Sequence, residues 1–158
     1  MDQTQEIRVR MAGTRDRRAF AEIDPNVTTD LHRRQVIDAA VASRHCWIAE
    51  HAGKQVGYGI SSRNFFDRDF VDLLMVSQDV RRAGVGAAIL NAIEHTCSAD
   101  RIFTSTNESN IPMRALLEKC GYRPSGRIEN LDAGNPELVF VKFLKVRSVA
   151  RTGMSALG

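Results

Sequence analysis

Residues Leu73–His95, LLMVSQDVRRAGVGAAILNAIEH, decide how this chain folds. The apolar run that ends at Val76 reads as a buried strand. It gives way to Arg81 and Arg82, then to Gly84 and Gly86, and at once to a helical pattern from about Gly84 to Thr96. A strand that turns on glycine into a helix N-terminus is a place to hold an anion, because free backbone N–H groups converge there.

Three phosphate-binding readings compete for RRAGVGAAIL. A P-loop needs GK[ST], with lysine on the terminal phosphates and a hydroxyl on magnesium, but Gly86 is followed by Ala87 and Ala88. A dinucleotide fingerprint GxGxxG would use Gly84 and Gly86 and could use Glu108 on the ribose, yet its third glycine position is Ile89. A pyrophosphate cradle for coenzyme A, of the form [Q/R]xxGx[G/A], finds its fixed positions in Arg81, Gly84 and Gly86. In that reading small residues keep Cβ atoms away from the phosphates, and the helix dipole and Arg82 add positive potential.

On either side the chain alternates strands and helices. IRVRM (7–11) reads as a first strand, and Thr14 fits the N-cap of a helix with Asp16 in its first turn. Asp24–Asn26, DPN, ends that helix, and residues 28–44 form a second. CWIAEH, the turn AGK and QVGYGISSR read as a hairpin. Gly57 and Gly59 inside it mark a bulge or a close backbone approach. NFFDRD (64–69) reads as a loop and FVDLLMV (70–76) as a strand. Beyond the glycine turn come a strand at 101–106, a helix through SNIPMRALLEKCG, and two final strands, YRPSGRI and PELVFVKFLKV. Ser109 or Asn110 could cap that helix and Gly121 stops it.

The helix carries a second motif. NIPMRALLEKCGY has the form NxxxxxLxxKxGY, with Asn110, Leu116, Lys119, Gly121 and Tyr122 at its fixed positions. With VSQDVRRAGVG and the order of elements, it resembles the GNAT superfamily of acyl-CoA-dependent N-acyltransferases over nearly all of the chain up to Val146. The resemblance implies an α/β (α+β) fold with a mixed sheet of about six to seven strands and about four flanking helices, splayed between the fourth and fifth strands. It implies one domain over residues 1–146; the tail 147–158 lacks an apolar pattern and reads as disordered.

By the same resemblance, acetyl-CoA is the cosubstrate and its pantetheine fills the splay as a pseudo-strand. Val76 would meet the pantetheine amides with its backbone, and the N–H of Leu74 would point at the thioester carbonyl. The N–H groups of Arg82, Ala83, Gly84, Val85, Gly86 and Ala87 would take the pyrophosphate, with Arg81 and Arg82 beside the phosphates. Asn110 would bond the pantetheine arm. Asp72 is the candidate general base, placed by simple alternation on the face shared with Leu74 and Val76. Where many relatives carry a tyrosine that protonates the departing thiolate, this chain has Leu117, and Tyr122 occupies a different, packing position. Ser109, Cys120 or an ordered water could take that role.

The acceptor implied is a primary amine of a small molecule or peptide, attacked directly in a ternary complex. Phe65, Phe66 and Trp47 could wall its pocket, and Asp67, Asp69, Glu129, Asp132 and Glu137 give the surrounding loops an acidic tendency. His45 and His51 read as partly exposed. The alternative is a non-catalytic acyl-CoA-binding regulatory module, which Leu117 keeps open. A homodimer through the final strands is common among relatives, and the sequence does not establish one.

Composition is that of an ordinary globular protein: 158 residues, 43% hydrophobic and 26% charged, with net charge +3. The arginines are dispersed and aromatics are few, so nucleic acid is not an expected partner. No window approaches a membrane span and the start is polar, so a cytoplasmic protein without a membrane partner is expected. The three cysteines, Cys46, Cys97 and Cys120, show neither a metal pattern nor a disulfide framework, and no metal is expected.

Overall fold

The computed structural model describes residues 6–81 and 83–145. In chain order they form β1 (Arg8–Met11), α1 (Arg17–Ile23), α2 (Asn26–Thr29), α3 (Leu31–Ala42), β2 (Cys46–His51), β3 (Lys54–Phe65), β4 (Arg68–Val76), α4 (Val85–Thr96), β5 (Arg101–Asn107), α5 (Ile111–Lys119), β6 (Arg123–Ile128) and β7 (Glu137–Phe143). Seven strands make one sheet in the order β1-β2-β3-β4-β5-β7-β6. Only the β4–β5 pair is parallel. The expected α/β (α+β) fold with a mixed sheet is the one observed. The expected domain end at Val146 and the tail after it lie outside the described residues.

Each face of the sheet buries its own core. On one, Phe20, Ile23 and Ile37 of α1 and α3 close over Cys46, Ile48, Tyr58 and Ile60. On the other, Ile89, Leu90 and Ile93 of α4 and Leu117 of α5 meet Trp47, Val71, Ile102 and Phe140. Trp47 is thus a core residue.

Three local features differ from the sequence reading, each for a physical reason. Thr14 does not cap a helix; residues Thr14–Asp16 make a 3-10 turn. The Asp16 carboxylate accepts from the Gly13 N–H at 2.8 Å and is held bidentately by Arg10, which also bridges Glu50 on β2. This tether tightens the first turn, and the Arg10 hydrogen bond holds the Asp16 carboxyl below its usual range. The second helix is split, because the Asp30 side chain caps α3 by accepting from the Arg33 N–H. The expected loop at 64–69 shrinks to a two-residue turn, Phe66 and Asp67, both left-handed at φ 51° and 60°.

Gly57 and Gly59 admit a helix, and Gly57 also shows the expected features: an added Cβ would lie 3.0 Å from the Met75 carbonyl, and Val56 beside it is the extra residue of a β-bulge. A Cβ on Gly57 would lie 2.9 Å from Val85 Cγ1, and one on Gly59 would lie 2.5 Å from Ile89 Cγ2. The two glycines therefore let α4 sit low on β3, which brings the start of α4 close to the end of β4. Gly59→Val is expected to cost about 1–3 kcal/mol by overpacking this contact. Urea unfolding measures it, and an unchanged midpoint would show that α4 shifts freely.

Candidate active site

Strands β4 and β5 are paired only at Phe70↔Phe103 and Val71↔Thr104. The Thr104 hydroxyl donates to the Val71 carbonyl at 3.0 Å and closes the vertex. Beyond it the strands part, while β4 stays paired to β3 as far as Val76 and β5 to β7 as far as Asn107. The result is a wedge-shaped cleft in the middle of the sheet.

The phase of the β3–β4 ladder fixes what lines this cleft. The Ser77 N–H donates to the Val56 carbonyl at 2.7 Å, so Val56 and Ser77 form a hydrogen-bonded pair. The next pair, Gly57↔Val76, is then non-hydrogen-bonded, and so is Gly59↔Leu74 two steps further. The backbone N–H and C=O of Leu74 and Val76 therefore turn away from β3 and into the gap. Unpaired strand groups in such a position require water or a ligand with strand-like amides.

Asp72 sits at the head of the cleft in a β-bulge. Ile60 pairs with Leu73 and Ser61 with Val71, which leaves Asp72 as the extra residue on β4. The bulge resets the alternation: Val71, Leu74 and Val76 contribute to the α4–α5 core, and Leu73 and Met75 to the other. The expectation that Asp72 shares a face with Leu74 and Val76 is corrected by this extra residue. The Asp72 carboxylate instead accepts from Ser62 Oγ at 3.0 Å, and Ser62 lies opposite Phe70 in register. The residue is open to solvent, yet the protein around its carboxylate displaces enough water to raise the pKa. The Ser62 hydrogen bond, its own backbone N–H and the charge of His45 oppose that rise without cancelling it.

At the far end of the cleft, a 3-10 turn at Gln78–Val80 leads through an exposed Arg81 to Gly84. Gly84 is left-handed at φ 88°, and among the described residues its missing Cβ would meet within 4 Å only Ile7 Cδ1 at 3.9 Å. The first intrahelical bond of α4 runs from the Ala88 N–H to the Gly84 carbonyl, and no side chain caps the helix. The N–H groups of Val85, Gly86 and Ala87 are thus unspent by the helix and gathered at its positive end. Gly86 is small for a further reason: a Cβ there would lie 2.7 Å from Leu116 Cδ2, so the glycine also admits α5. Arg82 lies outside the described residues.

Asn110 caps α5 with its Oδ1, which accepts from the Met113 N–H at 3.2 Å and leaves its amide Nδ2 as a donor for a ligand. Leu117 is fully buried and offers no proton. Tyr122 packs as expected, with its hydroxyl donating to Glu94 at 3.1 Å, and burial pushes its phenol pKa up. Burial also raises the Cys120 thiol. The Ser109 hydroxyl accepts from Asn135 Nδ2, which ties the start of α5 to the β6–β7 loop.

On the Asp72 side, Phe65 stacks on Phe70 at 4.8 Å and tilts against Phe103 at 5.4 Å. Phe65 was expected as a pocket wall; its partners Phe70 and Phe103, and Ser62, were not singled out by the sequence. Phe66 projects into solvent, 84% exposed. Of the acids expected around the acceptor, Asp132 accepts from Asn107 and Glu129 pairs with Arg127. His45 is exposed and His51 partly buried.

The sequence matches the acetyltransferase (GNAT) family over residues 13–122. The chain belongs to that family. It is therefore an acetyltransferase, and the family uses acetyl-CoA. This GNAT enzyme is similar to a GNAT-family acetyltransferase from Bacillus cereus ATCC 10987, with 31% identity and a TM-score of 0.82 over 89% of this chain and 99% of that one. It is 34% identical over 92 residues to the peptidyl-lysine N-acetyltransferase YjaB of Escherichia coli (strain K12), a match that spans 57% of each chain. A protein from Bacillus anthracis str. Ames, provisionally named a streptothricin acetyltransferase, shares the fold at a TM-score of 0.72 and 15% identity, and its structure holds acetyl coenzyme A. Among the described residues of the GNAT enzyme, no helix is long and apolar enough to cross a membrane, and no group of three or more His, Cys, Asp or Glu could hold a metal ion.

Proposed function

We propose that this enzyme transfers the acetyl group of acetyl-CoA to a primary amine by direct attack in a ternary complex, with Asp72 as the general base. The observation that carries this reading is the cleft between β4 and β5, where the backbone groups of Leu74 and Val76 turn into the gap beside the bulged Asp72. The residues present fit the cosubstrate. Val76 can meet the pantetheine amides through its N–H and C=O, and Asn110 Nδ2 can meet the same arm. The N–H of Leu74 can donate to the thioester oxygen, where negative charge grows in the transition state. The N–H groups of Gly84, Val85, Gly86 and Ala87 can cradle the pyrophosphate, flanked by Arg81 and Arg82, whereas the expected Ala83 N–H already donates to the Val80 carbonyl at 3.2 Å. Bound there, acetyl-CoA supplies an activated acyl carbon.

The acceptor chemistry falls to Asp72. An alkylammonium with a pKa near ~10.4 is almost wholly protonated at neutral pH, so a proton must leave before attack. A carboxylate whose pKa is raised by its surroundings is a better base than an ordinary one, and it attracts the ammonium. Leu117 cannot protonate the departing thiolate. A thiol with a pKa near ~8.5 leaves with little help, and a water or the Ser109 hydroxyl can supply the proton. The name of the E. coli relative favours a lysine side chain of a peptide among the amines to be tried first. Unpaired cysteines at all three positions suit a reducing, cytoplasmic setting.

Three measurements test the reading. In a thermal-shift titration, acetyl-CoA at 100-fold over its dissociation constant should add about 2.7 kcal/mol of stability, and ATP and NAD should add none. Thiol release from acetyl-CoA over a panel of amines and lysine peptides should then identify an acceptor; release that no amine accelerates would overturn the acceptor class. Gly84→Val should raise the Kd for acetyl-CoA by about tenfold or more, because a β-branched residue in the left-handed region must move the amides that form the cradle. A folded Gly84→Val protein with unchanged affinity would remove the pyrophosphate from this turn.

A further inference from the structure

Strand pairing sets five residues in one row across the sheet. Ser62 is opposite Phe70, Phe70 opposite Phe103, Phe103 opposite Val141, and Val141 opposite Arg123. Residues directly opposite one another share a face. Their chain neighbours Val71, Ile102 and Phe140 point into the α4–α5 core, so the row lies on the other face. There the core beneath α1 and α3 takes its strand residues from β2, β3 and β4, and none from β5, β7 or β6 among the described residues. No helix-covered core forms on that half of the face.

The row is charged at its two ends and apolar between them. At the β4 end, Ser62 Oγ holds the solvent-open Asp72 carboxylate at 3.0 Å. The stack of Phe65 on Phe70 and Phe103 makes the floor, which continues through the buried Val141. At the β6 end, Phe143 is 49% exposed, and the guanidinium carbons of Arg123 and Arg101 stand 4.6 and 5.0 Å from its ring centroid. Arg101 is spent on Asp100, which accepts from it at 2.9 and 3.1 Å. Arg123 is exposed and forms no ion pair among the described residues. A guanidinium stacked on an aromatic ring keeps its N–H donors open to a carboxylate.

We propose that this strip of sheet is the docking surface for an extended lysine peptide, with the lysine ammonium at Asp72 and an acidic side chain, within about four residues of the lysine, at Arg123. The inference rests on the reading of Asp72 as the base that receives the amine. Three strand spacings separate β4 from β6, about 14 Å across the sheet. Arg123 leans farther from the cleft, toward Phe143, so the two charges are too far apart for a small amine to meet both. An extended peptide gains about 3.3 Å per residue and covers the distance with a lysine, a few residues of backbone and one carboxylate side chain. The charge order selects the sequence: a second cation in place of the acid would meet Arg123.

Fluorescence anisotropy with the full chain, with and without CoA, tests this without turnover. The probes are labelled nine-residue peptides of alanine and serine with one central lysine and one glutamate, placed one to four residues to either side. Each is compared with its glutamine counterpart. At least one glutamate position is expected to tighten binding about fivefold, the size of an exposed ion pair, and added salt should shrink the gain. Arg123→Gln should abolish the preference and leave the Kd of the glutamine peptides and of CoA unchanged. No preference at any position overturns the proposal, as does a preference that survives in Arg123→Gln. A dimer seen by sedimentation and dissolved by Phe143→Ser would make a second copy the occupant and also overturn it. Thiol release with the same peptides separates this inference from the one beneath it. Glutamate-selective binding without acetyl transfer keeps the docking surface and removes the base, whereas transfer to lysine that ignores the glutamate keeps the base and removes the docking surface.

Discussion

Asp72→Asn is expected to lower kcat/KM for the amine by about 10²–10⁴-fold at neutral pH while leaving the protein at least as stable as wild type. Both effects have one origin. The surroundings of Asp72 displace water and raise its pKa above the ordinary value of 3.8, against the opposing pull of Ser62 and His45. A carboxylate whose folded pKa lies above its unfolded one favours folding of its protonated form. Ionisation at neutral pH therefore destabilises the fold, and the penalty disappears as pH falls through the raised value. Asn cannot ionise, so it escapes the penalty, and it can still accept from Ser62 Oγ. The kinetic consequence has the opposite sign. Wild-type kcat/KM should fall toward acid with an apparent pKa above that of a free aspartate, and the residual activity of Asp72→Asn should lose that limb. The pH profile and the melting curve of the two proteins check the pair of statements. A variant that is as fast as wild type across pH would leave Asp72 as a bulge residue only, and a variant that is much less stable would mean that its charge has an unrecognised partner.

Most of this fold was legible because its elements announce themselves by period and by punctuation. Gly84 and Gly121 bracket α4 and α5 where a turn residue was expected, with φ at 88° and 89°. The bulge at Asp72 was not legible, for a definite reason. The run Leu73–Val76 is apolar on both faces because both faces of the sheet are covered, so an extra residue leaves no break in the pattern. Everything that follows from the bulge, including the bond from Ser62 and the reassigned face, was hidden with it. Gly86 was read as a phosphate residue because the motif contains it; only the approach of Leu116 from α5 shows that it also serves packing. The Phe66–Asp67 turn carries neither glycine nor asparagine, so it read as part of a loop.

The largest effect on stability is expected from Arg33→Met. Asp24 follows α1, where DPN ends the helix, and its carboxylate is wholly buried. It accepts from the Tyr58 hydroxyl at 2.6 Å, from Arg33 Nη1 at 3.2 Å and from the Asn26 N–H at 3.1 Å. Arg33 is its cation, and it reaches in from α3 with a quarter of its side chain still in water. Methionine keeps the aliphatic reach of arginine and deletes the charge, so the carboxylate is left buried beside two neutral donors. Removing one member of a buried ion pair costs about 3–5 kcal/mol, most of it the penalty on the ion that remains. The converse change is milder. Asp24→Asn still accepts from Tyr58, and Arg33 can turn toward solvent. The double variant Asp24→Asn/Arg33→Met should therefore recover much of what Arg33→Met loses, which a double-mutant cycle by urea unfolding measures directly. The damage from the single change should also reach the cleft. Tyr58 pairs with Met75 on β4, next to Leu74, and its hydroxyl bond to Asp24 is what ties that part of the sheet to the turn between α1 and α2. A loss below about 1 kcal/mol in Arg33→Met, the range of an exposed pair, would mean that water or Tyr58 alone neutralises the cost of burying Asp24.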